Sequence, residues 1–336
     1  MVGFLKFQGV DLRFLVVCLL PMLALLIVLL SGLSATIGGE PEFLCMFWNV
    51  ENLFESKPHF RDKCNGIAKT VMLAADEFGG APDIIGLAEV ENRDAVRKLV
   101  SQTGLRRFGY SAVHFDSPDR RGIDCALLYR REKFHVLHTK PCHLTDSCGS
   151  FLPTRDILLT VLKSASLPEG IPPSGVRPSG SPHHPFGLPA ALTAVLINHH
   201  PSKVGKGSEE RRKIAMARLM FLRDSLLAEG ITQIVAIGDF NDTVLPAPGV
   251  EAAYPPGAGT IKFQGKWEKI DGCPVLEGLS AREYIFAPPH LSTRDRRYSG
   301  VKPLRSFSGP RYLGGISDHY PVVLECYLPA PFPKTP

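Results

Sequence analysis

From residue 43 onward, short apolar runs alternate with amphipathic stretches. The runs predict strands at 43–50, 83–89, 110–115, 123–130, 135–142, 156–162, 192–199, 233–240, 284–287 and 320–327. Helical spacing covers 62–78, 94–103 and 209–228. The third helix has the fullest set of end signals. Ser208 is placed to cap it, Glu209 and Glu210 suit its positive end, and Gly230 follows as a stop. Its stripe of Ile214, Ala217, Leu219, Phe221, Leu222, Leu226 and Leu227 is expected to face a core. The four successive strands between 110 and 162, with little helix among them, argue for antiparallel pairing. Residues 164–189 are rich in Pro, Gly and Ser and read as a long surface loop, in which His183 and His184 are expected to be solvated. No repeat is visible, so one domain over 43–329 with a short tail at 330–336 is expected.

The N-terminus differs from everything after it. Residues 14–30 form an uncharged apolar run, interrupted only by Pro21 and preceded by Lys6 and Arg13. Its length lies between a signal-peptide core of about 7–15 residues and a spanning helix of about 17–25. Residues 1–36 therefore read as either a signal peptide or a membrane anchor, and both readings stay open. The basic residues before the run place the remainder outside the cytoplasm, exported and either free or anchored through 14–30.

Composition adds limits rather than a function. The 336 residues carry 38 Lys+Arg against 33 Asp+Glu, a formal charge of +5, with 44% apolar residues. These values exclude a disordered or fibrous chain, and so small a basic surplus is not by itself a nucleic-acid signature. The eight cysteines form no C-x-x-C pair, which excludes a zinc ribbon or a thioredoxin-type site. Cys45, Cys125 and Cys326 sit in apolar runs and read as small buried hydrophobes. Cys142 and Cys148 flank a polar turn and are the one pair proposed as a disulfide in an oxidising compartment.

Five segments carry chemistry. In IVAIGDFND an apolar strand ends on Gly238, then offers Asp239 and Asn241 two residues apart, on one side of the strand. Asp supplies a hard oxygen for a divalent cation or an acceptor for water, and Asn can donate to a phosphoryl oxygen. Read alone, the same residues could be a turn whose side chains cap backbone. GISDHYP places Asp318 beside His319, a carboxylate and an imidazole that could serve metal and proton chemistry. LAEVEN ends a strand on Glu89, and a solvated helix-entry turn is its plain alternative. FWNVEN and INHHPS add Asn49 and the neighbours His199 and His200, only one of which can face a site.

In this order the five motifs resemble the endonuclease/exonuclease/phosphatase family. The resemblance spans 45–327, and MFWNVENLF, IIGLAEVEN, RGIDCALLYR, GDFND and SDHYP are especially similar to its exported bacterial, nuclease-like branch. It implies an α/β fold, a four-layer α/β/β/α sandwich with two mixed, mainly antiparallel sheets. It also implies Mg²⁺- or Mn²⁺-dependent hydrolysis of a phosphate ester. Carried over residue by residue, Glu89 is the main metal ligand, with Asn49 and Asp318 alongside. Asp239 and Asn241 position water and phosphate. His199 contacts or protonates the phosphate, and Arg155 contacts it too. His319 acts as base or stabilises phosphoryl charge, its ring fixed by Asp271. Asp124 either pairs with His199 or is satisfied by backbone. One departure stands out: Gly272 and Pro274 after Asp271 weaken the strand expected there, and 284–287 could supply it instead.

The resemblance favours an exported or membrane-anchored, monomeric phosphodiesterase of endonuclease type acting on DNA or RNA. A phospholipid phosphodiesterase of sphingomyelinase type or an inositol-phosphate phosphatase is the alternative among hydrolases, and an exported binding module the alternative outside them. Lys262, Lys266, Lys269 and the basic stretch 294–305 could track a phosphate backbone or be plain solvated surface. A lipid substrate would call for an exposed aromatic hairpin, which the sequence does not identify.

Overall fold

Two sheets face each other across a core of aliphatic and aromatic side chains. The structure, a computed structural model, describes residues 39–146, 148–165, 192–205 and 207–329. The leader with its apolar run at 14–30, the Pro/Gly/Ser-rich stretch beyond Ala165 with His183 and His184, and the tail at 330–336 lie outside the described residues. Residues from Glu40 onward form one compact unit. No helix among the described residues is long and apolar enough to cross a membrane.

The first sheet contains β1 (Phe43–Leu53), β2 (Ile84–Val90), β3 (Tyr110–His114), β4 (Asp124–Arg130), β9 (Val250–Ala252), β13 (Ser280–Ile285) and β18 (Val322–Tyr327), ordered β3-β4-β2-β1-β18-β13-β9. The second contains β5 (Phe134–Cys142), β6 (Ile157–Ser164), β7 (Leu192–His199), β8 (Gln233–Asp239) and β12 (Asp271–Glu277), ordered β12-β8-β7-β6-β5. Most pairs are antiparallel, but β1 and β2 run parallel, as do β7 and β8, and β9 and β13. The expected antiparallel pairing holds for β3 with β4 and β5 with β6, while the chain changes sheet between β4 and β5.

Strand alternation builds the layers. Cys45, Phe47, Ile84 and Ala88 point inward to meet Val195, Ile197, Val235 and Ile237 of the other sheet. Met46, Trp48, Ile85 and Leu87 point outward, where α1 (Phe60–Glu77) and α2 (Arg93–Gln102) cover them through Ile67, Val71, Val96 and Leu99. On the far side, Leu159, Leu196 and Ile234 meet α3 (Ser208–Ala228) through Ala215, Leu219, Leu222 and Leu226. This is the four-layer α/β/β/α sandwich.

Several local expectations need correction. Gly207, not Ser208, precedes the first turn of α3, and the Ser208 hydroxyl donates to the Lys203 carbonyl instead. Phe221 and Leu227 lie on the exposed side of that helix, because the buried stripe is narrower than the sequence suggests. β12 forms despite Pro274, since a register shift between Gly272 and Val275 removes the need for a regular ladder there. Of the residues proposed to replace it, Tyr284 and Ile285 end β13 in the other sheet, and Phe286 and Ala287 follow it outside any strand. Cys142 and Cys148 are not bonded. Cys142 ends β5 with its thiol in the core under α3, whereas Cys148 is exposed on a turn organised by Asp146. Cys45, Cys125 and Cys326 are buried, as expected of small hydrophobes.

Three hairpins lie outside the two sheets: β10 (Ile261–Phe263) with β11 (Lys266–Glu268), β14 (Ser292–Arg294) with β15 (Val301–Pro303), and β16 (Phe307–Ser308) with β17 (Arg311–Tyr312).

Candidate active site

Strand direction decides where the polar residues of the motifs meet. The parallel pair β7–β8 places His199 opposite Asp239 at the C-terminal ends of both strands, and antiparallel β12 brings Asp271 opposite Asp239 from its own start. In the first sheet, β1 and β2 run parallel and carry Asn49 and Glu89 near the same edge. The segment before β18 adds His319. The Ser317 hydroxyl holds that segment by donating to the Asn49 carbonyl (2.6 Å) and accepting from the His319 N–H (3.0 Å). The His319 carbonyl accepts from the Trp48 indole at 2.9 Å.

One glycine makes the approach possible. A Cβ on Gly238 would lie 2.3 Å from the Asn198 carbonyl oxygen, so only hydrogen fits where β8 passes β7. Glu89 has φ of 65° at an irregularity in β2, which turns its carboxylate out of the strand alternation.

Asp239 is the hub. Its Oδ2 accepts from Asn49 Nδ2 at 3.0 Å and lies 3.6 Å from His199 Nε2 and 3.9 Å from His319 Nε2. Its Oδ1 accepts from the Asn241 N–H at 2.9 Å. The Asp271 carboxylate sits 2.9 Å from His319 Nδ1, which fixes the ring and leaves Nε2 facing Asp239 and, at 4.0 Å, Asp318. Glu89 accepts from the Asn52 N–H at 3.0 Å and stands 3.9 Å from His199 Nε2.

The charges in this cleft are set by burial and by neighbours. Burial, reinforced by repulsion from Asp271, raises the Asp239 carboxyl to about 7, against the opposing pull of His319 and Asn49. Burial disfavours the His319 cation, but Asp271, Asp239 and Asp318 together overcome it and hold its pKa well above the usual histidine range. His199 goes the other way: burial and the nearby Arg155 keep it neutral. Its Nδ1 is buried without a hydrogen-bond partner among the described residues.

Of the residues expected here, the structure brings Asn49, Glu89, His199, Asp239, Asp271 and His319 together, with Asp318 at the mouth, its side chain 42% exposed. Three of the expected residues have partners that the sequence did not show. The Asn49 oxygen accepts from the Glu51 N–H, and its amide nitrogen donates to the carboxylates of Asp239 and Glu89. Asn241 Nδ2 donates to the His200 carbonyl at 3.0 Å, tying the loop after β8 to the loop after β7. The Arg155 guanidinium is buried and donates to the carbonyls of His199 and His200 and to Asp119. All three guanidinium nitrogens are taken up in this way, and two of them tie down the end of β7. Asp124 accepts from the Ser117 N–H and lies 3.4 Å from His114, so it pairs with neither His199 nor the site. His200 packs edge-on against Phe240, which resolves the choice in favour of His199.

The sequence reading missed a second layer. Glu51, with φ of 49°, accepts from the Arg305 guanidinium at 2.7 Å and from the Ser306 N–H, and Arg305 also reaches Asp318 at 3.3 Å. Buried Lys63 donates to the Glu51 carbonyl and the Ser306 hydroxyl, and burial lowers its pKa to about 8. The NVEN motif contained Glu51, but its partner lies 254 residues away.

The donor set suits a hard divalent cation. Asp239, Asp271 and His319 bring possible ligand atoms within 4.8 Å of one another, and Glu89 and Asp318 add carboxylate oxygens facing His199 and His319.

Comparison with known proteins agrees with this architecture. A search of curated proteins finds no match. An endonuclease/exonuclease/phosphatase family protein from Bacteroides thetaiotaomicron superposes with a TM-score of 0.53 at 15% identity, over 86% of this chain and 98% of that one. A mannosyl-6-phosphatase from the same species gives 0.52 at 15%, over 85% and 100%. The human Nocturnin catalytic domain with bound sulfate anion gives 0.52 at 16%, over 87% and 97%. The family model described as "Endonuclease/Exonuclease/phosphatase family" matches residues 55–166 and 250–327, more than half the sequence, and these segments contain Glu89, Asp271, Asp318 and His319. By its sequence and by the sandwich that gathers those residues, the chain belongs to the endonuclease/exonuclease/phosphatase family.

Proposed function

We propose that this protein is a divalent-metal-dependent phosphoester hydrolase, a phosphodiesterase of endonuclease type acting on DNA or RNA. The observation that carries the reading is the His319–Asp271 pair facing Asp239, with Asn49, Glu89 and His199 converging from other strands. Glu89 and Asp318 would hold Mg²⁺ or Mn²⁺, which when bound supplies a Lewis acid on a non-bridging phosphoryl oxygen. Asp239, held in place by Asn49 and the Asn241 N–H, is the acceptor that orients water for attack. Neutral His199 can turn an N–H to a phosphoryl oxygen. His319, its Nδ1 fixed by Asp271, presents Nε2–H where negative charge develops. Arg155 acts through backbone, holding His199 in register. The apolar run at 14–30 supports export, with either a cleaved leader or an anchor, and the motifs support placement in the exported bacterial branch.

A substrate panel tests this reading. Plasmid DNA, RNA, sphingomyelin and inositol phosphates are compared with Mg²⁺, with Mn²⁺ and with EDTA. Nucleic-acid cleavage that requires metal is expected. Cleavage of lipid alone would remove the nuclease reading, and turnover unaffected by EDTA would remove the mechanism. His319→Ala is expected to lower kcat by about 10²–10⁴-fold while the circular dichroism spectrum stays native.

A further inference from the structure

Beside the active site lies a groove of about 470 Å³ between the β10–β11 and β14–β15 hairpins, lined by residues including Lys262, Phe263, Arg297, Tyr298, Lys302 and Arg305. Arg305 is its link to the chemistry, since the guanidinium that lines the groove also contacts Glu51 and Asp318. The groove is built rather than incidental. Lys262 bridges the two hairpins, donating to the carbonyls of Ser299 (2.6 Å) and Val301 and sitting 3.4 Å from Asp295. Gly265 lies so close to Tyr298 that a Cβ would come within 2.9 Å of it.

The sequence grouped three lysines as one possible phosphate track, and the structure divides them. Lys262 is spent on the hairpins, and Lys269 is buried against Glu283 at 2.8 Å. What the groove offers a ligand is Arg297 and Lys302, neither with an ion-pair partner among the described residues, and the open aromatic surface of Phe263. Phe263 is 59% exposed, and Tyr298 is 39% exposed with the Arg297 guanidinium 5.1 Å from its ring centre. Two cations beside an exposed aromatic face in a concave surface match a phosphodiester chain whose bases are free to stack. A bilayer would instead meet a convex apolar tip, whereas Phe263 stands in a concave surface between two hairpins.

We infer that this groove is a substrate subsite that holds single-stranded nucleic acid flanking the scissile phosphate, with Arg297 and Lys302 on backbone phosphates and Phe263 against an unpaired base. The inference rests on the hydrolase reading for the identity of the scissile bond, but not for binding. A base paired in a duplex cannot offer its face to Phe263, so the groove selects single strands.

Fluorescence anisotropy on the full chain in EDTA, with a labelled single-stranded oligonucleotide and its duplex, reads binding without turnover. Tighter binding of the single strand is expected. Phe263→Ala is expected to weaken it by about 5–100-fold with little effect on the duplex. Replacing Arg297 and Lys302 with Ala is expected to reduce the slope of log K against log salt by roughly 1.4, at about 0.7 per phosphate contact. Unchanged affinity in the three variants would overturn the subsite, as would equal binding of duplex and single strand. Binding of these residues to phosphatidylserine vesicles in place of oligonucleotide would make the face a membrane contact instead and overturn it equally. Metal-dependent turnover of bis(p-nitrophenyl) phosphate by the wild type, an ester with no further phosphate for the groove, tests the hydrolase reading separately. Turnover of that ester without oligonucleotide binding removes the subsite alone, and binding without turnover removes the hydrolase reading alone.

Discussion

At the scale of single residues, the two adjacent histidines show how one step along a strand separates function from structure. His199 faces the carboxylates and His200 packs on Phe240, yet both are buried and neutral. Burial, helped by Arg155 and Arg212, lowers His200 from its ordinary 6.5 to about 3. A folded-state value below the unfolded one means the stabilising difference is present above pH 6.5 and lost as pH falls toward 3, because only the unfolded chain takes up the proton. Between pH 7 and pH 5 this histidine alone is expected to reduce stability by about 2 kcal/mol. Denaturant titrations of wild type and His200→Leu at the two pH values check this. The variant should lose correspondingly less, and an identical loss would mean the ring is protonated in the native state. The acid–base residues were legible in sequence because each stands at the end of an apolar run. The contacts of Arg155 were not legible for the opposite reason: two of its partners are carbonyls of residues 44 and 45 positions away, and a carbonyl leaves no trace in residue type. The same distance hid the Glu51–Arg305 pair.

At the scale of elements, the site depends on how closely β7 and β8 can run. Gly238 is the point of contact, and the obstacle a side chain would meet is backbone, which cannot rotate away. Gly238→Ala is therefore expected to destabilise the fold by about 3 kcal/mol or more, at the upper end of overpacking costs. Equilibrium unfolding measures it, and a loss below about 0.5 kcal/mol would show that the strands can separate. Strand positions were readable from apolar runs, and so was the change from strands to helices. The fate of Pro274 was not, because a proline signals a broken ladder but not whether a bulge will absorb the break. The disulfide expectation failed similarly. The spacing of Cys142 and Cys148 suits a bridged turn, but the direction of Cys142 is set by the alternation of β5, which sends it into the core.

For the whole molecule, stability comes from three apolar layers and owes nothing to cross-links among the described residues, whose seven cysteines are all unpaired. Unfolding midpoints with and without a reducing agent are expected to agree within about 1 °C, since removing a native bridge would cost about 2–5 kcal/mol and a much larger shift. A clear fall on reduction would reveal a bridge that forms in solution. The two sheets and the three hairpins divide the labour. Glu89, His199, Asp239 and Asp271 belong to long, buried strands, whereas the groove that selects a ligand belongs to short hairpins attached at the rim. The strands of each hairpin pair only with one another and share no ladder with the sandwich. If the groove is the proposed subsite, one set of reacting groups can be offered to very different esters, and grafting the tips of these hairpins is expected to change the substrate while the ladders that hold the reacting groups stay as they are.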